Sequence, residues 1–274
     1  MTRTYDAPYY EGQARDALSA ASRILPRAVA LLGHCGRRVR SCVDVGAGSG
    51  TWLAVAREIG IVDTVAVEGD WVRDIELGIP KEMYVFANLS QEPLDLSRRF
   101  DLALCLEVAE HIPASCAERL VQTLSRLSDV VLFSAAIPHQ GGTHHVNEQW
   151  PSYWASLFDA NGFRCYDVLR WSIWDDEAIR FWYRQNVLLF VHQQTAELSG
   201  CLASLPYRAF MPERPSGCVH PQKYEALFTY SQSPPLRAVL RASPKALWRA
   251  LERRLRRLLV MARRGPATPR GTPE

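Results

Sequence analysis

No stretch of the 274 residues stays apolar long enough to span a bilayer, and Met1 to Asp6 do not open into the hydrophobic segment of a secretory leader. No internal repeat is visible. There is no C-x-x-C pair: the seven cysteines, an odd number without paired spacing, read as buried thiols in a reducing compartment and not as a zinc site. A cytoplasmic location is the expectation. What is present is ordinary globular material, 47% hydrophobic and 22% charged, long enough for one domain with additions.

The charge is divided unevenly. Residues 1–236 hold 21 Lys/Arg against 27 Asp/Glu, whereas residues 237–274 hold 11 against 2. An acidic body excludes a duplex-binding groove, so DNA is ruled out as a partner and RNA is disfavoured.

The most informative stretch is Val43-Asp44-Val45-Gly46-Ala47-Gly48-Ser49-Gly50-Thr51. A short apolar strand breaks into three glycines at alternate positions, and a helical segment from Trp52 to Ile59 follows. Glycine lets the backbone turn tightly and leaves no side chain between it and a ligand. The helix start directs unpaired N–H groups towards whatever lies over the loop. The spacing is G-x-G-x-G, so the third dinucleotide glycine is missing and Thr51 stands in its place. The block resembles motif I of the class I S-adenosylmethionine (SAM)-dependent methyltransferases.

That resemblance implies a Rossmann-like α/β fold: a seven-stranded, mostly parallel sheet with an antiparallel edge strand and helices on both faces. Along the chain it divides as a cap helix region at 1–35, the SAM-binding domain at 36–192, and an irregular Pro-containing extension at 193–242. A basic amphipathic helix at 243–264 and a disordered tail at 265–274 complete it. Strands are expected at Thr64–Val67, Met83–Ala87, Phe100–Leu106, Val130–Ser134, Phe163–Ile173 and Asn186–His192, the last two joined through Asp175 to Gln185 as the antiparallel edge. Helices are expected at Glu118–Leu127 and Gln149–Asn161, the latter stopped by Gly162.

The family implies a role for several positions. Asp44, Gly46, Ala47, Gly48 and Gly50 lie against the amino-acid half of SAM. Glu68 with Gly69, ending the second strand, accepts bonds from the ribose hydroxyls, and Trp71 packs near the adenine. Asn88 and Leu89 follow the third strand, where Asn88 replaces the usual Asp and accepts from the adenine amino group. Tyr10 closes on the cofactor from the cap or packs the helix onto the sheet.

Glu107-Val108-Ala109-Glu110-His111 follows the fourth strand. This E-x-x-E-H segment resembles that of the ubiquinone-biosynthesis O-methyltransferases and the small-RNA 2′-O-methyltransferases. It implies a Mg²⁺ site built by Glu107, Glu110, His111 and His145, with Glu107 also touching the cofactor. E-x-x-E-H also occurs without a metal, and His144, His145 or His111 then serves as general base. The aromatic residues Trp150, Tyr153, Trp154, Trp171, Trp174, Trp182 and Tyr183 divide between core and a stacking surface for a small acceptor, a hydroxyl-bearing saccharide or secondary metabolite. Rival readings are an RNA 2′-O-methyltransferase, an N-methyltransferase, and a SAM-binding docking protein without catalysis. The 243–264 helix, with Leu247, Leu251, Leu255 and Leu258 on one face among arginines, suits peripheral contact with an anionic membrane. Packing that stripe on the protein body is the alternative.

Overall fold

A computed structural model of the chain describes residues 7–91, 93–205, 217–232 and 248. The elements run α1 (Ala7–His34), β1 (Ser41–Val45), α2 (Thr51–Glu58), β2 (Asp63–Glu68), β3 (Tyr84–Phe86), β4 (Leu102–Leu106), α3 (Ala117–Leu127), β5 (Val130–Ser134), α4 (Pro151–Asp159), β6 (Phe163–Tyr166), α5 (Arg170–Ile173), α6 (Phe181–Asn186), β7 (Leu188–His192) and α7 (Ala196–Ser204). Among the described residues after His220, which belong to a separate unit, α8 (Pro221–Gln232) exposes Tyr224, Leu227, Phe228 and Tyr230.

The seven strands lie in the order β3-β2-β1-β4-β5-β7-β6. Strands β1 to β5 are parallel, β7 runs antiparallel to β5, and β6 pairs antiparallel outside it. Burial on both faces explains the unbroken apolar runs of β4 and β5. Alternate side chains feed two cores. Cys42, Ala66, Leu102, Leu104 and Leu132 meet α1 and α2 on one face, and Val43, Val67, Ala103, Cys105 and Phe133 meet α3 and α4 on the other. In α1 the stripe Ala20, Ile24, Ala28 and Leu32, spaced by four, is wholly buried. Strand order reverses between β1 and β4, which opens a crevice at their carboxyl ends.

Three expectations are corrected. The strand expected over Phe163–Ile173 stops at Tyr166. Buried Arg170 pairs with Asp167 and donates to the Gln185 carbonyl, and this turns the chain into a short helix. The segment read as irregular from 193 contains α7 and α8, and α7 is held by burial of Leu198 and Leu202, four residues apart. Cys35, just past α1, is bonded to Cys201 of α7 with Cα atoms 5.5 Å apart, so the cysteines are not all free thiols. The partners stand 166 residues apart, so no local spacing announces them. The expected 243–264 helix and 265–274 tail lie outside the described residues. Among the described residues no helix is long and apolar enough to cross a membrane.

Candidate active site

At the end of β1 the Gly46 and Ala47 N–H groups donate to the Val67 carbonyl at 2.8 and 3.1 Å, which pins the loop to β2. Gly46, Gly48 and Gly50 have φ of +87°, +54° and +80°, the left-handed region that favours glycine. Their surroundings differ. A Cβ on Gly46 would lie 2.4 Å from a Val108 methyl, and one on Gly50 would lie 2.6 Å from the Tyr84 hydroxyl. A Cβ on Gly48 would meet nothing within 4 Å, so the middle of the loop faces open space.

Glu68 closes the loop from β2. Its carboxylate accepts the Gly48 and Gly69 N–H groups, each at 2.8 Å, and the Trp71 indole. Burial raises its pKa and these bonds oppose the rise. The Trp71 ring covers Gly69, where a Cβ would lie 2.1 Å from it. Asp44 is buried, its Oδ2 has no hydrogen-bond partner, and burial followed by the Glu68 charge pushes it up to about 8. Ala47 is buried and Leu89 packs on the core. The Asn88 amide oxygen accepts the Ser90 N–H at 3.0 Å, a turn bond that takes one of its two lone pairs. The Tyr10 side chain lies outside the described residues.

Across the crevice β4 ends in Glu107, a non-glycine residue at φ +56°. Its N–H donates to the Ser134 carbonyl and hydroxyl, both at 3.0 Å. Its carboxylate accepts Asn186 Nδ2 at 3.1 and 3.4 Å and Gln140 Nε2 at 3.4 Å. Gln185 Nε2 joins this network through the Gln140 and Asn186 side-chain oxygens, both at 3.0 Å. Three bonds accepted by the carboxylate and a β5 anchor hold a strained backbone in place.

Glu110 follows on a 3₁₀ turn and is fully buried; its own N–H, the Ala136 N–H and the Glu107 carboxyl group lie around its carboxyl group, none in close hydrogen-bond geometry. Burial, then the neighbouring Glu107 charge, raises its pKa well above the ordinary range. Its carbonyl accepts the Val146 and Asn147 N–H groups at 2.8 and 3.0 Å, so the loop after β5 is clamped onto this turn. That clamp brings His145 to His111 with ring centroids 5.0 Å apart. Burial, with His145 nearby, pushes His111 down to about 4, so its imidazole is neutral. A carboxylate oxygen of Glu110 and ring nitrogens of His111 and His145 lie within 4.8 Å of one another.

Of the expected ligands, Glu110, His111 and His145 therefore converge, while Glu107 lies beside Glu110 with its oxygens committed to Asn186 and Gln140. His144 is exposed at φ +59° and reaches His111 through its backbone. A buried carboxyl group converging with two imidazoles fits a divalent cation. With two nitrogen donors the set suits Mn²⁺ or another borderline ion better than the Mg²⁺ inferred from the E-x-x-E-H resemblance. Glu148 and Gln140 had no role in the sequence reading. The only local sign of either is that Glu148 stands three residues after His145.

A family model described as a methyltransferase domain matches residues 12–170. No curated protein sequence matches the chain. Similar solved structures include an O-methyltransferase family protein from Burkholderia thailandensis (15% identity, TM-score 0.47, covering 69% of this chain and 60% of that one). Streptomyces venezuelae DesVI is another (13%, 0.47, 68% and 95%). A third is magnesium protoporphyrin IX methyltransferase from Synechocystis PCC 6803 (16%, 0.42, 63% and 84%). The chain spans less than two thirds of the Burkholderia protein's length. The family match covers more than half of the chain, on the fold and glycine loop described above, and the chain belongs to the methyltransferase-domain family of class I SAM-dependent methyltransferases.

Proposed function

We propose that this methyltransferase transfers the methyl group of SAM to a hydroxyl of a small molecule. The observation that carries this reading is the convergence of Glu110, a fully buried carboxyl group, with the His111 and His145 imidazoles at the carboxyl end of β4. It lies one strand away from the glycine loop.

The open space over Gly48 and the unbonded Asp44 Oδ2 are features that a positively charged nucleoside ligand fits. In this reading the Gly46–Gly50 backbone takes the amino-acid half and Glu68 the ribose. Asn88 and Leu89 border the adenine. Glu110, His111 and His145 would hold a divalent ion, which when bound would lower the pKa of an acceptor hydroxyl. Glu107, fixed by Asn186 and Gln140, puts a second carboxyl group beside that set. Without an ion, the His145 nitrogen not bonded to Glu148 takes the hydroxyl proton. Deep burial of Glu110 excludes water and strengthens each of these interactions.

The test is methyl release from purified protein with SAM over a panel of catechols, sugars, phenols and amines, with EDTA or added Mn²⁺. Turnover on hydroxyl acceptors, lost in EDTA and restored by Mn²⁺, is the expected outcome. Turnover confined to amines would overturn the hydroxyl assignment, and full activity in EDTA would remove the ion. Residues 237–274, by their charge, are proposed to touch anionic membranes. Deleting them should abolish partitioning onto anionic vesicles, and unchanged partitioning would end that idea.

A further inference from the structure

Glu148 has no part in the reading above, yet three donors converge on its carboxylate. The His139 N–H reaches Oε2 at 2.8 Å, the Gly141 N–H reaches Oε1 at 2.8 Å, and His145 Nδ1 lies 2.9 Å from Oε1. With two backbone N–H donors already on its oxygens, the carboxyl group acts as acceptor towards the ring as well, so Nδ1 carries a proton and, in the neutral ring, Nε2 is the nitrogen with the lone pair.

Gly142 adds an independent constraint. A Cβ there would lie 2.2 Å from His145 Nε2 and 2.3 Å from Cε1. Its φ lies outside the left-handed region, so the position requires room for the ring and not backbone freedom. One neighbour fixes the tautomer and the other leaves space for the orientation.

We propose that Glu148 is a positioning residue: it holds His145 as the Nδ1–H tautomer and, with the space left by Gly142, keeps Nε2 available to the Glu110–His111 cluster. The proposal rests on the assigned role of His145 for its catalytic consequence alone. A carboxylate behind an imidazole orients the ring and raises its basicity, whether the ring binds an ion or takes a proton.

The test is long-range ¹H–¹⁵N correlation of ¹⁵N-histidine-labelled full-length protein at pH 8.5, with His145 assigned from the signal lost in His145→Ala. Wild type should show Nδ1–H at His145. In Glu148→Ala and in the isosteric Glu148→Gln, which keeps the loop's size and shape, Nε2–H should predominate. Calorimetry with Co²⁺ should show binding about 10–100-fold weaker in Glu148→Ala, as loss of an outer carboxylate costs elsewhere. Gly142→Ala should keep the Nδ1–H signal and still bind Co²⁺ more weakly, because it displaces the ring without touching its partner. An Nε2–H signal in wild type, or no change in either Glu148 variant, would overturn the proposal. If wild type takes up no Co²⁺, the ion leaves the proposed function, and the tautomer measurement decides Glu148 by itself.

Discussion

On the cofactor side of the crevice the shaping groups lie within residues 44–69, and most are backbone: three glycines in the left-handed region, N–H groups on the Val67 carbonyl, and N–H groups on Glu68. On the side proposed for the acceptor the groups are side chains drawn from 107–111, 140–148 and 185–186, and they meet only because β4, β5 and α6 pack together. Backbone geometry is encoded locally by glycine and spacing. A cluster of side chains needs the whole sheet to assemble it. The first side should therefore fail through conformation, and the second through chemistry at intact stability.

Gly46→Ala should break the cofactor side most severely. It places a Cβ in the left-handed region, at about 1–2 kcal/mol, and against Val108, at roughly 1–3 kcal/mol more. The melting temperature should fall and SAM affinity, read by calorimetry, should drop more than about 100-fold. Adding Val108→Ala should restore only the overlap cost. Recovery of full affinity in the double variant would show that conformation is not what the loop supplies.

The acceptor side breaks differently. His145→Ala should lower kcat by about 10²–10⁴ and leave SAM affinity unchanged. Glu110→Gln should also lower kcat while the melting temperature holds, since burial and the Glu107 charge already favour the neutral acid, which Gln matches in shape and charge. Parallel loss of stability and activity would erase the distinction between the sides.

Gly48→Ala sharpens the cofactor side, because its Cβ meets only open space. The left-handed backbone costs about 1 kcal/mol, so a small stability change with SAM binding at least about tenfold weaker would place the ligand over the loop. Equal affinity would place it elsewhere.

A last test of the cofactor side varies pH at Asp44. Its folded pKa, raised by burial and Glu68 to about 8, means that the native state holds a proton the unfolded chain has released. Without ligand, stability contributed below pH 4 is therefore lost as the pH climbs through about 8. The melting temperature of Asp44→Asn relative to wild type should rise from pH 5 to 8 and then level. A constant difference would show that Asp44 ionises normally.

How much was legible follows the same division. The five parallel strands, the glycine loop and the Glu68 position could be read from apolar runs and their spacing, because strand burial and tight turns depend on neighbouring residues. The E-x-x-E-H segment suggested four ligands, but spacing could not show that Asn186, 79 positions away, draws Glu107 aside. Nor could it show that His144 faces solvent while His145 faces the cleft, since a loop has no period. The cysteines misled for a related reason: a bond joining α1's end to α7 leaves no local trace.

The sequence by itself determined the layered α/β fold, the bend after β1 and the acids at the strand ends, because periodicity and glycine act over a few residues. Tertiary structure alone decided which of those acids are buried, which histidine meets His111 and which carboxylate lies against it. Those outcomes depend on contacts between distant segments, and such contacts exist only once the sheet has closed around both cores.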